Sequence, residues 1–222
     1  MREKTPFGRW GTALLALLAL LALGGAARAD GERPGAFDHY VLALSWTPAW
    51  CALEGDARGA AECDAGTGRG FTLHGLWPQD GGGWPAYCPT AERAPSRART
   101  AEEADLYGSS GLAWHQWRKH GTCTGLSADE YYRLAREAHA RVERPAVLEA
   151  LERAVTLPAA VVEEAFLEAN PDFPADGVTV LCREGRIREV RLCLTRGLDP
   201  RSCEGRARRD CTLGDALLEP AR

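Results

Sequence analysis

Alternating apolar and polar positions predict four strands in this chain. Phe37–Trp46 alternates and begins with aromatic and β-branched residues, which is typical of a strand. Gly177–Leu194 predicts two more, VTVLC and IREVRLCL, joined by a tight turn at Glu184–Gly185. A short apolar strand that starts at Phe71 is expected to deliver His74 into a glycine-containing turn, which a proline then stiffens.

Helix signals lie between these strands. Ser127 and Glu130 form a capping box, which opens a helix that runs through Ala138. Leu112–His120 predicts a shorter helix that ends at Gly121, because glycine favours the left-handed conformation past a helix end. Two further helices are predicted, at Ala146–Ala154 and, beyond Pro158, at Ala159–Ala169, where Asn170 and Pro171 end the second.

The remaining segments predict loops. Thr47–Gly70 contains many Gly and Ala residues, and Asp80–Arg99 is a long loop rich in Gly and Pro. No internal repeat or linker interrupts the pattern. One α+β domain is therefore predicted.

Residues 1–29 have the layout of a signal peptide. Arg2, Lys4 and Arg9 precede the apolar run ALLALLALLAL, and the sequence A-R-A at positions 27–29 fits an A-x-A cleavage site. The run is too short to favour a spanning helix. We therefore expect a mature domain over residues 30–222, periplasmic or secreted, with no stable membrane association after cleavage.

The charge balance argues against indiscriminate binding of polyanions. Loss of the four basic residues and one acidic residue of the signal peptide leaves 23 Lys+Arg and 30 Asp+Glu, a net charge of about −7 with neutral histidines. Any attraction to a polyanion must therefore come from a local patch. It should strengthen as histidines become charged below about pH 6.5.

The cysteines predict a disulfide framework in an oxidising compartment. All eight follow the signal peptide, at positions 51, 63, 88, 123, 182, 193, 203 and 211. A zinc-bound cluster is disfavoured because the chain has no C-x2-C spacing. Spacing alone leaves the pairing open.

Three of the five histidines and a lysine lie in two stretches, Phe71–Gln79 (FTLHGLWPQ) and Trp114–Cys123 (WHQWRKHGTC). On the predicted helix, His115 lies above Lys119 and Gln116 lies above His120, because residues four apart share a face. Burying that face would cost about 1–3 kcal/mol for each unsatisfied polar group. An open cleft is therefore predicted.

Clustered histidines can also bind zinc, but the spacing here argues against a zinc site. A zincin helix needs HExxH, with ligands four residues apart and a glutamate between them. His115 and His120 are five residues apart, about 140° around the helix, with glutamine where the glutamate would stand. Lys119 repels a cation and attracts a phosphate. The cluster therefore indicates phosphate chemistry without a metal.

The two stretches resemble the signatures of the ribonuclease T2 family of secreted acid ribonucleases. HGLWP, which contains His74 and Trp77, matches the first signature, and H-Q-W-x-K-H-G-T-C matches the second except at Gln116, where the family has glutamate. The resemblance extends through the cysteines and the C-terminal strands over most of the mature chain. It implies a single α+β domain in which an antiparallel β-sheet packs with several α-helices.

The resemblance also implies a disulfide-stapled fold. It suggests Cys88–Cys123, and Cys182–Cys211 around a nested Cys193–Cys203. Cys51 is then left to pair with Cys63, inside the loops predicted for Thr47–Gly70.

By resemblance, the protein is an endoribonuclease of low base specificity that acts on single-stranded RNA without a cofactor or obligatory metal. The 2′-hydroxyl attacks the adjacent phosphorus when one group removes its proton and another protonates the departing 5′-oxygen. The resemblance makes His120 the base and His74 the acid, while His115 binds phosphate or substrate and Lys119 stabilises the transition state. Gln116 is counted with this catalytic group. The lyase step yields 2′,3′-cyclic phosphates, which are hydrolysed more slowly to 3′-phosphates.

Four side chains are candidates for binding a nucleobase: Trp77, Gln79, Trp84 and Tyr87. An indole on a rigid turn can stack on any base, and an amide can read a base edge. The two loop aromatics could equally pack beneath their loop. Elsewhere, a solvated surface is favoured over a phosphate track for the nine arginines of Arg183–Arg209. His39 is expected to be structural, and His139 is expected at the surface.

Two other functions remain open at this point. A secreted RNA-binding or toxin-like protein could keep the scaffold and lose catalysis, and Gln116 supports this alternative because an amide carries neither the charge nor the proton of glutamate. Against it, the three histidines and Lys119 are all present. A secreted metal-dependent nuclease is a weaker third choice. In either case we expect a monomer.

Overall fold

The computed structural model describes residues 33–81 and 83–222. The predicted signal peptide lies outside these residues, so its cleavage stays a prediction. Within the described ranges, none of the helices combines the length and apolarity that a membrane crossing requires.

A single six-stranded sheet organises the described part of the chain. The strands are β1 His39–Trp46, β2 Phe71–Gln79, β3 Val155–Leu157, β4 Val178–Arg183, β5 Arg186–Leu194 and β6 Ala216–Leu218. Their order is β2-β1-β5-β6-β3, with β4 also paired to β5. The strands pair antiparallel except for one parallel contact between β5 and β6. The predicted α+β fold is confirmed, and so is the hairpin of β4 and β5, whose turn residues Glu184 and Gly185 both have positive φ.

The helices are mostly short. They are α1 Thr47–Trp50, α2 Arg97–Ala101, α3 Ala104–Tyr107, α4 Ser110–Lys119, α5 Ala128–Ala140, α6 Ala146–Glu149 and α7 Ala159–Ala169. The capping box is confirmed at the start of α5, where Ser127 and Glu130 bond each other's backbone N–H groups. Helix α7 ends at Asn170 as predicted.

The two faces of the sheet have different roles. On β1, the alternate residues Leu42, Leu44 and Trp46 are fully buried in the core that α5 and α7 cover. The intervening residues Ala43 and Ser45 face the other way. This second face of the sheet carries the candidate site.

Two β-bulges determine which residues reach that second face. Opposite β1, Leu73 and Gly75 pair with successive residues, so His74 has no opposite residue. On β5, Arg188 is likewise left out, because Ile187 and Glu189 pair with successive residues of β4. A bulge shifts the alternation of a strand by one residue. Glu189 therefore lies on the second face, whereas strict alternation from buried Ile187 would place it in the core.

The turn predicted after His74 is wrong. Strand β2 continues through Gly75 and Pro78 to Gln79 and pairs along its length with β1. Proline is tolerated because β2 is an edge strand. Gly75 is needed for space, since an added Cβ would overlap the side chain of Gln116.

Gly121 ends α4, but for a different reason from the predicted one. It does not adopt a positive φ, and the chain enters a 3-10 turn at Gly121–Cys123. A Cβ at this position would overlap the rings of Trp117 and Tyr131. The glycine therefore permits close packing of the α4 end against α5.

Three other boundaries differ from the prediction. The helix expected at Ala146–Ala154 stops at Glu149, because Val155–Leu157 pairs with β6 as an unpredicted strand. Thr47–Gly70 is largely helical turns, which the buried Cys51–Cys63 disulfide holds against the sheet. Helix α2 begins inside the loop predicted to reach Arg99, with the Ser96 side chain as its N-cap.

Four disulfides staple the described chain: Cys51–Cys63, Cys88–Cys123, Cys182–Cys211 and Cys193–Cys203. These are the pairs that the resemblance implied. Cys88–Cys123 joins the loop before α2 to the turn after α4. Asp56 lies beside Cys51 and Cys63 in a group that could otherwise suit a metal, but both sulfurs are committed to their disulfide.

Candidate active site

The two histidine-containing stretches meet on the second face of the sheet, as predicted. One cavity of about 230 Å³ is lined by the bulged His74 of β2 and by His115, Lys119 and His120 at the C-terminal end of α4. An adjoining cavity of about 450 Å³ shares His74, His115 and Arg188 with it. The site is therefore a cleft with two compartments that meet at His74.

His74 is held by a carboxylate that sequence reasoning missed. Its Nδ1 lies 2.6 Å from Oε2 of Glu189, which is only 1% exposed. The second oxygen of Glu189 accepts a 2.7 Å hydrogen bond from Nε of Arg191. Burial opposes ionisation of Glu189, but the hydrogen bond from His74 and the charges of His74 and Arg191 hold its pKa at about 2. Glu189 is therefore an ionised acceptor.

His120 has the opposite environment. It is the C-cap of α4 and only 3% exposed, with its ring stacked on Trp77 at a centroid distance of 5.2 Å. Burial, followed by the charges of Lys119, His74 and His115, lowers its pKa to about 3. Among the described residues, its Nδ1 has no hydrogen-bond partner. His120 is therefore neutral across the ordinary pH range.

The side chain of Gln116 is hydrogen-bonded to Trp77. It is 1% exposed, and its Oε1 accepts a 2.8 Å hydrogen bond from the indole Nε1 of Trp77. The sequence places Gln116 on the same helix face as His120, but the amide oxygen bonds Trp77 and not the imidazole. The predicted open position for the whole helix face is correct for His115 but wrong for Gln116 and His120. The Gln116 amide packs over Gly75, and His120 is only 3% exposed.

His115 and Lys119 form the open side of the cleft. They lie one turn apart on α4, on the face that the sequence predicts. Burial lowers the pKa of His115, and the charges of Lys119, His74 and Arg118 lower it further. The Lys119 carbonyl also accepts a 2.8 Å hydrogen bond from the Tyr87 N–H, which fastens the neighbouring loop to the end of α4.

The candidate base-binding residues occupy different positions. Trp77 and Trp84 line the smaller cavity, where Trp84 is 41% exposed and lies 5.2 Å from the Arg206 guanidinium. Gln79 also lines it, but its side chain is buried and its Nε2 donates to the Pro78 carbonyl at 2.9 Å. Tyr87 is 54% exposed and stands outside both cavities, so it is the candidate that the fold does not bring into the cleft.

Three of the nine C-terminal arginines line the cleft: Arg188, Arg191 and Arg206. A solvated surface was predicted for the whole set in preference to a phosphate track. Arg206 is exposed as predicted, whereas Arg188 and Arg191 are half-buried, because the bulge in β5 carries them to the second face of the sheet. The cleft therefore holds more positive charge than the net charge of the chain suggests.

The other two histidines lie outside the cleft. His39 is buried, as expected of a structural residue, and burial lowers its pKa. His139 was predicted at the surface, but it is half-buried on α5, and burial lowers its pKa to about 4. Neither side chain lines the two compartments.

These lowered pKa values predict an acid-induced loss of stability. His120 and His139 titrate near 6.5 when unfolded and near 3 and 4 when folded, so the unfolded chain binds more protons below about pH 6.5. Their contribution to the free energy of unfolding is full above that pH and is lost as the pH falls towards 3. We expect His139→Gln to unfold with a shallower pH dependence between about pH 6.5 and 4, measured by urea titration. Parallel curves for the two proteins would contradict this.

Comparison with known proteins places the chain among ribonucleases. The model of the ribonuclease T2 family matches residues 37–203. A ribonuclease of Aeromonas hydrophila is 34% identical over 229 residues, covering 94% of this chain and 97% of the relative. Ribonuclease MC of Momordica charantia is 30% identical over 110 residues, 45% of this chain and 56% of that one.

Solved structures share the fold. Ribonuclease MC1 from bitter gourd seeds aligns with a TM-score of 0.62 and 21% identity, covering 81% of this chain and 98% of that one. RNase NT, solved in complex with 5′-AMP, gives a TM-score of 0.60 and 20% identity over 84% of this chain and 99% of the other. These likenesses extend over the described domain.

Proposed function

Since this chain belongs to the ribonuclease T2 family, we propose that it cleaves single-stranded RNA by metal-independent transphosphorylation. Membership in the family makes the protein a ribonuclease. The proposal concerns its mechanism, its specificity and the roles of its residues. In this mechanism the 2′-oxygen forms a bond to phosphorus and the 5′-oxygen leaves, so a 2′,3′-cyclic phosphate is the first product.

One observation carries the proposal: two imidazoles in one cleft have opposite environments. His120 is kept neutral by burial, as a base must be in order to accept the 2′-hydroxyl proton. His74 donates from Nδ1 to the ionised carboxylate of Glu189, an arrangement that suits a protonated ring able to give a proton to the leaving 5′-oxygen. A neutral buried ring suits the role of base, and a ring bonded to a carboxylate suits the role of acid.

The cations around the imidazoles provide the rest of the mechanism. Lys119 and His115 would contact the phosphoryl group, whose negative charge grows as the 2′-oxygen attacks. Arg188, Arg191 and Arg206 add positive charge to the same cleft. Such fixed charges stabilise the transition state without a bound metal ion.

A direct test compares nucleic acids and ions. The mature protein should cleave single-stranded RNA in EDTA as fast as in Mg²⁺, and it should leave DNA of the same sequence intact, since DNA lacks the 2′-hydroxyl. A preparation treated with chelator and then desalted serves as the control for tightly bound metal. Activity that disappears in EDTA and returns with a divalent ion would overturn the proposal.

Low base specificity is proposed from the aromatic walls of the cleft. Trp77 and Trp84 offer indole rings, and stacking on an aromatic ring is tolerant of base identity. The amide of Gln79, which would be needed to read a base edge, instead donates a hydrogen bond to the Pro78 carbonyl. Initial rates on a full set of dinucleotides, with and without Trp84→Ala, would show whether stacking sets affinity without selecting one base.

We also propose that residues 1–29 are a signal peptide and that the mature 30–222 domain acts as a monomer in the periplasm or outside the cell. The four disulfides support this location, because they form and persist in oxidising compartments. N-terminal sequencing of the exported protein should begin at Asp30. Its hydrodynamic mass should correspond to one chain.

Gln116→Glu should move the acid limb of the activity profile to higher pH. A carboxylate beside His120 would favour the charged ring and raise its pKa from about 3, so the base would be lost at a higher pH. The measurement is kcat/KM against pH on a dinucleotide. An acid limb that stays in place would rule out this coupling.

Gln116→Ala provides the matched comparison. It removes the acceptor of the Trp77 N–H but leaves both imidazoles, so its loss of kcat/KM should be smaller than that of His120→Ala. A loss as deep as that of His120→Ala would give the amide a catalytic role that its hydrogen bond to Trp77 does not explain.

A further inference from the structure

We propose that Glu189 is the positioning residue for His74, fixing which ring nitrogen faces the cleft. The role of His74 as the general acid rests on the proposed function above. The contact between His74 and Glu189 does not depend on that function, so the contact and the acid role can be tested separately.

The contact between Glu189 and His74 follows from the pairing of β5 and β2 with β1. Glu189 lies opposite Ser45 on one side of β1, and the bulged His74 lies on the other side, next to Gly75. Their hydrogen bond therefore spans β1 on the face where the small side chain of Ala43 leaves room. Arg191 holds the second carboxylate oxygen at 2.7 Å, so Glu189 has little freedom to turn away.

The chemistry of the pair determines the tautomer of His74. Glu189 stays ionised far below neutral pH, and an ionised carboxylate can only accept hydrogen bonds. Nδ1 of His74 must therefore carry the hydrogen in the 2.6 Å contact. Nε2 is left to hold or release the proton that the reaction moves.

The surrounding charges explain why this carboxylate matters. The groups that face His74 are His115, Lys119 and His120 from α4, Arg188 and Arg191 from β5, and Arg206 from the turn beyond it. Across the second compartment lie Glu54, Arg58, Glu62 and Arg69, where Glu54 is engaged by Arg58 and Arg183. Most of these groups are basic, so they repel a further positive charge in the cleft. Among the described residues, Glu189 supplies the carboxylate in direct contact with the ring.

The first experiment needs no substrate. Glu189→Gln keeps the shape of the side chain and removes its charge, and NMR of the imidazole nitrogens reports the tautomer. We expect the neutral His74 ring to carry its hydrogen on Nδ1 in the natural protein and to become a mixture of tautomers in Glu189→Gln, because an amide can donate as well as accept. The matched control is Glu103→Gln, which alters another buried glutamate bound to two arginines but lies away from the cleft. An unchanged His74 tautomer in Glu189→Gln would overturn the proposal.

The second experiment uses the leaving group. On RNA, Glu189→Gln should lower kcat/KM roughly 10–100-fold, by analogy with the range found when the hydrogen-bonded partner of a metal-ligating histidine is removed. On a uridine 3′-nitrophenyl phosphate, whose leaving group needs no proton, the loss should largely vanish. A loss that persists on both substrates while the His74 tautomer is unchanged would be a purely structural defect and would count against the proposal. A changed tautomer without relief by the better leaving group would support the positioning role and contradict the acid role of His74.

Discussion

Replacing His120 by alanine should lower kcat/KM for RNA by roughly 10²–10⁴-fold, which is what general-base catalysis supplies. His74→Ala should cost about as much, since acid and base act in the same step. The double variant should have a kcat/KM only slightly lower than that of either single variant, because removing one member of a catalytic pair already removes the effect of the other. His139→Ala is the matched control, as this imidazole is half-buried on α5 outside the cleft.

The leaving group separates the two roles. A nitrophenolate departs without a proton, so His74→Ala should recover most of its activity on a uridine 3′-nitrophenyl phosphate. His120→Ala should recover none, because the 2′-hydroxyl still has to lose its proton. Equal losses on both substrates for both variants would contradict the assignment, and recovery in His120→Ala alone would exchange the two roles.

Removing the Cys88–Cys123 disulfide should cost about 3–4 kcal/mol in the free energy of unfolding and should also impair catalysis. The stability loss follows from the loop-entropy model for cysteines 35 residues apart in sequence. The loss of activity follows from position: the disulfide fastens the loop that carries Trp84 and Tyr87 to the turn just after His120. The measurements are urea unfolding and kcat/KM for the variant with both cysteines replaced by alanine.

The Cys182–Cys211 pair gives a matched control. Its cysteines are 29 residues apart, so the same model gives a similar stabilisation, and neither lines the cleft. We expect its alanine variant to lose comparable stability and to keep its kcat/KM under conditions where it is folded. Equal losses of activity in both variants would mean that the Cys88–Cys123 disulfide has no specific role in holding the site.

The parts of the site that the sequence predicts are local. The one-turn spacing of His115 and Lys119 and the capping box of α5 depend on residues three or four apart, so helix geometry is sufficient to place them. Helix α7 and the hairpin of β4 and β5 follow for the same reason. The proximity of His74 to the end of α4 was predicted from the resemblance to the family.

The missed parts depend on pairing between distant segments. Glu189 is 115 residues from His74 in sequence, and a bulge in β5 brings it to the second face of the sheet. Strict alternation would have buried it in the core. A signal was present: buried Leu73 and Leu76, like Ile187 and Val190, are three residues apart, which a regular strand does not allow. Such a break in the period indicates a bulge, and bulges are frequent next to active sites.

Gln116 shows how far a substitution can be interpreted from sequence alone. The missing glutamate suggested a scaffold that had lost catalysis, and the comparison with known ribonucleases does not favour that alternative. The structure bonds the amide to Trp77 and places an ionised carboxylate, Glu189, on His74 from the opposite side of the site. The carboxylate in contact with His74 therefore comes from strand β5 of the sheet and not from helix α4.

The central claim is that the 2′-oxygen of RNA, and not water, attacks phosphorus first. The most direct test is cleavage of a dinucleotide in ¹⁸O-water with EDTA present, with products followed by mass spectrometry. The first product should be an unlabelled 2′,3′-cyclic phosphate, and ¹⁸O should enter only as it is slowly hydrolysed to the 3′-phosphate. A labelled phosphate that forms at once, with no cyclic intermediate, would contradict the mechanism.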